Sequence, residues 1–142
     1  MTAIQDDLAD RMARAVNGLL NRYLVRGADG AERAIPYNPV DYQTLRFVAG
    51  GEARATDVAE HLGVPPTTMQ SALDRLTRRG LLAKRASPKD RRARLYALTE
   101  EGARIHAAIE RQDRANMAAM MEALSPAERA TLTTLMERIA KG

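Results

Sequence analysis

Apolar residues along this chain recur mostly at three- and four-residue spacing, which places them on one face of a helix. Leu8, Met12, Ala15, Leu19 and Tyr23 make the first such stripe and predict a helix of about four turns, broken by Arg26-Gly27-Ala28-Asp29-Gly30. Residues 28–37 read as loop, or at most a short extended piece. A second helix follows, with Asn38 as its cap and Pro39 in its first position. Tyr42, Leu45, Val48 and Ala49 form its inner face, and Gly50-Gly51 ends it. Thr56 is expected to cap a short third helix that turns Val58, Ala59 and Leu62 inward.

Gly63 then supplies a tight turn, and Pro65-Pro66 opens a fourth helix. Met69, Ala72, Leu73 and Leu76 share one face of it, while Thr67, Gln70, Ser71, Asp74, Arg75 and Arg78 make the opposite face polar throughout. Two short helices joined by a glycine turn read as a helix-turn-helix. Beyond Gly80 the helical period stops. Residues 81–85 and 94–98 read as two strands around the turn-forming Ala86-Ser87-Pro88-Lys89-Asp90, and a hairpin fastened directly to a helix-turn-helix is a wing.

Thr99 next caps a long helix running through Ile105, Ile109, Met117 and Met121 to about Leu124, with Glu100 and Glu101 at its positive end. Ser125-Pro126-Ala127-Glu128 is a capping box that opens the last helix, whose stripe is Leu132, Leu135, Met136 and Ile139. The predicted class is mainly α: a winged helix-turn-helix over residues 39–102 with one β-hairpin wing. Long N- and C-terminal dimerisation helices, within 1–38 and 103–142, complete one intertwined domain.

Composition narrows the function classes. A chain of 142 residues without cysteine has the length of one domain and holds no disulfide, Cys-based zinc site or thiol sensor. Aromatic residues are 4%, with no Trp and a single Phe, which disfavours a base-stacking platform for single strands. The first ten residues carry Asp6, Asp7 and Asp10 and no base, unlike a secretory signal. No run approaches the ~18 apolar residues of a membrane span, and no C-terminal lipidation motif is visible, so a cytoplasmic protein without membrane contact is expected. There is no Gly-rich phosphate loop, nucleophile elbow or His-Glu-x-x-His, and His61 and His106 stand far apart. The expectation is a non-enzyme with no cofactor and no metal.

Where the charge sits changes the picture most. Arg75, Arg78, Arg79, Lys84, Arg85, Lys89, Arg91, Arg92 and Arg94 are opposed within their own stretch only by Asp90, a net +8 in a chain of net +4, so the remainder is −4. A basic segment in an otherwise acidic chain is the electrostatic footprint of a polyanion binder. The helix at about 66–79 is the candidate recognition helix, and its N-terminal half suits the major groove. Thr67, Thr68, Gln70, Ser71, Arg75 and Arg78 supply donors and acceptors there; Gln can bond adenine in bidentate fashion and Arg can bond guanine. The wing, about 81–98, can lay a guanidinium from its tip, Lys89, Arg91 and Arg92, into the minor groove. Asp90 is expected to stabilise the tip by accepting from a neighbouring arginine, besides serving as a turn residue. The terminal stripes are too apolar and too far apart in sequence for one small winged lobe to cover. Pairing two copies buries them and sets two recognition helices about one DNA turn apart, ~34–36 Å, over a pseudo-palindromic site. The competing reading packs both terminal helices within one chain.

The runs Ala55-Thr56-Asp57-Val58-Ala59-Glu60-His61-Leu62-Gly63-Val64 and Leu73-Asp74-Arg75-Leu76-Thr77-Arg78-Arg79-Gly80-Leu81-Leu82 resemble the winged helix-turn-helix of MarR-type regulators. The hairpin adds an Asp90-x-Arg92 tip and then Leu98-Thr99-x-x-Gly102, so the resemblance covers about residues 40–102, with the flanking helices alike in layout. It implies a homodimeric transcriptional regulator, usually a repressor, that binds double-stranded DNA, with intertwined terminal helices and Arg92 as the minor-groove arginine. It also implies a small phenolic or anionic effector between the dimer helices and the DNA-binding lobe. Tyr23, Tyr37, Tyr42, Arg46 and His106 are the candidate lining residues, with ordinary packing as their alternative role. The chain departs from the family pattern at Pro65, at Ser71 and in a longer loop over 27–37. The rival function is a winged-helix protein–protein interaction module without DNA binding, which would tolerate loss of the tip arginines.

Overall fold

A computed structural model describes residues 3–25, 35–36 and 38–142 and places in them six α-helices and one two-stranded hairpin. The order is α1 (Ala3–Leu19), a π-helical turn (Leu20–Val25), α2 (Pro39–Ala49), α3 (Ala55–Leu62), α4 (Pro66–Arg78), β1 (Leu82–Ala86), β2 (Arg94–Leu98), α5 (Glu100–Met121) and α6 (Pro126–Lys141). The chain divides into two compact units, one from residues 1–32 with 112–142 and one from residues 33–111.

The second unit carries the winged helix-turn-helix. Asn38 caps α2 as its sequence predicts, its Oδ1 accepting from the amides of Val40 (3.0 Å) and Asp41 (3.2 Å). The inner face of α2 differs from the apolar pattern. Tyr42, Leu45 and Val48 are buried, but Ala49 is exposed, and Asp41 and Thr44 are buried in its stead. Both polar groups have partners, which is what allows them inside. Thr44 Oγ1 donates to Val40 O at 2.7 Å, and Asp41 meets Arg75 as described below.

Thr56 does not cap α3. The helix starts two residues earlier than such a cap implies, with Arg54 in the cap position and Asp57 Oδ2 accepting the Arg54 amide at 3.4 Å. The acid in the first turn reaches back to the amide of the cap residue, the reciprocal half of a capping box, and not the bond a capping hydroxyl makes. Gly63, at φ 68°, turns the chain in the left-handed region between α3 and α4. Pro66 starts α4, whose Met69, Ala72, Leu73 and Leu76 are all 0% exposed. Met69, Leu73 and Leu76 join Leu45, Val58, Leu82, Tyr96, Ile105 and Ile109 in one core, so the first turns of α5 pack with this unit.

The hairpin pairs antiparallel, Leu82 opposite Leu98 and Lys84 opposite Tyr96. Ala53 adds a third, one-residue strand against Tyr96: its N–H donates to Tyr96 O at 3.0 Å and its carbonyl accepts from Tyr96 N at 2.8 Å. Thr99 caps α5, its Oγ1 accepting from Gly102 N at 2.9 Å.

In the first unit, the α1 stripe is expected to continue to Tyr23 but stops at Leu19. The helix widens into a π turn there, which shifts the register of later side chains, and Arg22 lies 5.3 Å from the Tyr23 ring centroid. Ser125 and Glu128 close their capping box in both directions, at 3.2 and 2.9 Å, and these bonds hold the Glu128 carboxyl below its ordinary pKa. Yet α6 buries no residue. The residues of the 28–37 loop lie outside the described residues apart from 35 and 36. Among the described residues no helix is long and apolar enough to cross a membrane.

Candidate nucleic-acid interface

Full burial of one face of α4 fixes the other face outward. Thr67, Thr68, Gln70, Ser71 and Arg78 are exposed on it. Ser71 Oγ donates to Thr67 O at 3.0 Å, while Gln70 Nε2 donates to Asp74 Oδ1 at 2.9 Å and to the Tyr96 hydroxyl at 3.3 Å. Gln70 thereby ties α4 to β2.

Arg75 is held differently. Its Nη2 and Nε donate to Asp41 Oδ1 and Oδ2 at 2.9 and 3.3 Å, a two-point pair that spans α2 and α4. The Asp41 side chain is 2% exposed and that of Arg75 34%. The carboxylate bonds raise the Arg75 pKa. Arg85 is paired as well, its Nη2 and Nε at 2.6 and 3.1 Å from the Glu52 carboxylate, whose pKa this bond lowers. Two of the nine cations between 75 and 94 are therefore neutralised inside the lobe.

The wing tip is braced by main-chain bonds. Asp90 Oδ1 accepts the Arg92 backbone N–H at 3.0 Å, and the Asp90 carbonyl accepts Ala93 N at 3.0 Å. The Asp90 carboxylate bonds an amide of the tip and not the expected guanidinium, because its side chain folds back on its own turn. Ser87, 5% exposed, accepts from Lys89 N at 3.3 Å, and Arg94 Nη1 donates to Arg91 O at 3.0 Å. Lys89, Arg91 and Arg92 remain exposed around this braced turn.

Helix and wing meet across a cleft of ≈ 480 Å³ lined by Gln70 on one side and Asp90 and Arg92 on the other. Arg54, Thr56, Lys84 and Arg94 also line it, four residues that no local sequence pattern marks as contacts. Strand alternation carries a signal for two of them: Lys84 and Arg94 lie on the same face of the hairpin once its register is known.

Of the five candidate effector residues, Tyr42, Arg46 and His106 belong to the winged unit, and no one cleft gathers them. Tyr42 is buried and its hydroxyl donates to Ile35 O at 3.2 Å. Arg46 lines an open cleft of ≈ 500 Å³ with Phe47 and His61, whose rings stand 4.6 Å apart, and neither Tyr42 nor His106 lines that cleft. His106 Nε2 lies 3.4 Å from Glu110 Oε1 on α5. Tyr23 belongs to the other unit, and Tyr37 lies outside the described residues.

Residues 36–93 match the family model of the MarR family. No curated protein matches the chain by sequence. Among similar solved structures is the PcaV transcriptional regulator of Streptomyces coelicolor in complex with its natural ligand, 26% identical over 95% of this chain and 90% of that one, with a TM-score of 0.65. The transcriptional repressor CouR, bound to a 23-mer DNA duplex, is 23% identical over 99% and 96% of the two chains, with a TM-score of 0.77. BpsR of Bordetella bronchiseptica, whose DNA binding is regulated by 6-hydroxynicotinic acid, is 21% identical over 94% and 93%, with a TM-score of 0.71. Helix α4, the braced wing and the core beneath them thus form a winged helix-turn-helix similar to that of MarR-family regulators.

Proposed function

We propose that the protein is a ligand-responsive homodimeric repressor that binds a pseudo-palindromic DNA duplex. The carrying observation is the shared cleft: Gln70 of α4 and Arg92 of the wing line one surface, so a helix in the major groove and a tip in the minor groove engage the same duplex. Thr67, Thr68, Gln70 and Ser71 meet base edges, Arg78 and the tip cations Lys89, Arg91 and Arg92 meet the backbone and minor groove, and Arg75 keeps α4 in register against α2.

Titration against the duplex upstream of its own gene tests this. Arg92→Ala is expected to weaken binding about tenfold, the scale of one lost charge-assisted contact. Unaltered affinity would remove the wing from the interface and favour a protein-binding module.

The apolar rows of the first unit support the dimer. Leu8, Met12, Val16 and Leu19 on α1 and Leu135, Met136 and Ile139 on α6 are between 41% and 69% exposed in the single chain. Such rows are stable in water when a second copy covers them. Sedimentation equilibrium at micromolar concentration is expected to give twice the mass of one chain, and a monomer would sink the pairing.

The ligand complex of PcaV and the control of BpsR by 6-hydroxynicotinic acid support a small effector here. An effector that binds one spacing of the two recognition helices more tightly than the other shifts the population, and DNA affinity moves with it.

A further inference from the structure

Gln70 stands on the exposed face of α4, yet the orientation of its amide is fixed by the lobe itself. Nε2 carries two hydrogens. One goes to Asp74 Oδ1 at 2.9 Å, one helical turn on, and the other to the Tyr96 hydroxyl at 3.3 Å. A carboxylate only accepts, so Asp74 settles which end of the amide faces it. Tyr96 is itself held fast. It is 3% exposed, and its backbone N–H and carbonyl are bonded to Ala53 at 2.8 and 3.0 Å. Its other edge pairs with Lys84 of β1. Backbone bonds on both edges thus place the hydroxyl that holds Gln70. With both donors engaged, the amide has only Oε1 left to offer, which is an acceptor.

In the major groove the amino groups of adenine and cytosine donate, whereas guanine O6 and thymine O4 accept. A lone acceptor bonds the first two and repels the others, and the negative charge of Asp74 beside it sharpens the repulsion. An unrestrained glutamine favours adenine over cytosine, because its N–H also reaches adenine N7. Here a bond to N7 has to displace Tyr96 or Asp74, so it adds no hydrogen bond in net. The advantage of adenine over cytosine disappears with it.

We infer that Asp74 and Tyr96 are positioning residues that make Gln70 an acceptor-only reader, so that its position in the duplex takes adenine or cytosine alike and excludes guanine and thymine. The inference rests on the DNA-binding reading above and adds to it which base edges Gln70 reads and which residues decide this.

The test measures the affinity of the full-length protein for the upstream duplex with each position changed in turn to all four base pairs, in both half-sites together. Gln70→Ala locates the position, as the one where it flattens the wild-type preference. There the wild type is expected to bind adenine and cytosine within about threefold of each other, and guanine and thymine about tenfold more weakly, the scale of one base-edge hydrogen bond. Asp74→Ala/Tyr96→Phe frees both donors and should prefer adenine over cytosine by about tenfold, the pattern of an unrestrained glutamine. A purely structural loss would weaken all four duplexes alike and leave these ratios unmoved. Should circular dichroism show the double variant misfolded, Asp74→Ala alone is the second probe. Without the carboxylate the amide can turn end for end, and the disadvantage of guanine and thymine should shrink to about threefold or less. A wild type that prefers adenine over cytosine by about tenfold releases its donors on DNA and overturns the inference. Folded variants with wild-type ratios overturn it as well. If Gln70→Ala flattens no position while the upstream duplex still outcompetes a scrambled one, the inference fails and the DNA reading stands. If the wild type does not distinguish the upstream from the scrambled duplex, both fail together.

Discussion

Gly102→Ala is expected to destabilise the protein by about 3 kcal/mol, although alanine is the better helix former by about 1 kcal/mol. Gly102 lies in the first turn of α5, and a Cβ built on it would stand 2.0 Å from the Leu81 carbonyl oxygen and 2.9 Å from its carbon. Neither atom can rotate away, because both are backbone. The carbonyl is also fixed from two sides: it accepts Thr99 N at 3.1 Å, and Thr99 Oγ1 donates to Gly80 O at 2.6 Å. Relief therefore requires moving the start of α5 away from the strand entry at Leu81, which is 3% exposed, and opening the core around Ile105 and Ile109. The overpacking cost exceeds the propensity gain, and the sign of the usual Gly-to-Ala effect reverses. Gly18→Ala in α1 is the control, with no described atom within 4 Å of its would-be Cβ. Urea unfolding should show Gly102→Ala shifted to a clearly lower midpoint with Gly18→Ala unshifted or higher. Equal midpoints would mean that α5 slides freely over Leu81.

Much of this architecture was legible because it depends on local pattern. Asn38-Pro39 and Ser125-Pro126 announce helix starts through caps that need no tertiary contact, and the four buried residues of α4 sit at a spacing only a helix places on one face. Leu98-Thr99-x-x-Gly102 is equally visible as a motif, but its reason is not: the glycine answers to Leu81, a residue reached only through the hairpin. Thr56 shows the limit of local reading at a cap, because the helix begins before it and Asp57 bonds the amide of Arg54. The candidate site divides the same way. Exposure of Thr67, Gln70 and the wing tip follows from amphipathicity and turn chemistry. Arg54, Lys84 and Arg94 become one group only through strand register and the Ala53–Tyr96 bridge, which no window of sequence contains. Charge counting treated Arg75 and Arg85 as part of the cationic surface, whereas distant carboxylates, Asp41 and Glu52, claim both.

The Asp41–Arg75 pair should respond asymmetrically to loss of either partner. Arg75→Met, which keeps the aliphatic stem, is expected to cost about 3 kcal/mol, because it strands a carboxylate in a protein interior. Asp41→Asn is expected to cost about 1 kcal/mol, the scale of one weakened hydrogen bond. Exposure decides the difference: the guanidinium, 34% exposed, can turn into water when its partner is lost, while the carboxylate, 2% exposed, cannot. Asp41 also sits in the first turn of α2, where the positive end of the helix offsets part of the penalty and keeps the estimate at the lower end for a broken buried pair. Combining the two substitutions should cost well under their sum, since the asparagine left behind by the double variant carries no charge to strand. Denaturant unfolding of the four proteins gives the coupling directly, with about 2 kcal/mol expected. Equal single losses that add in the double variant would show that water reaches Asp41, and the pair would then be an ordinary surface contact without power to hold the recognition helix against α2.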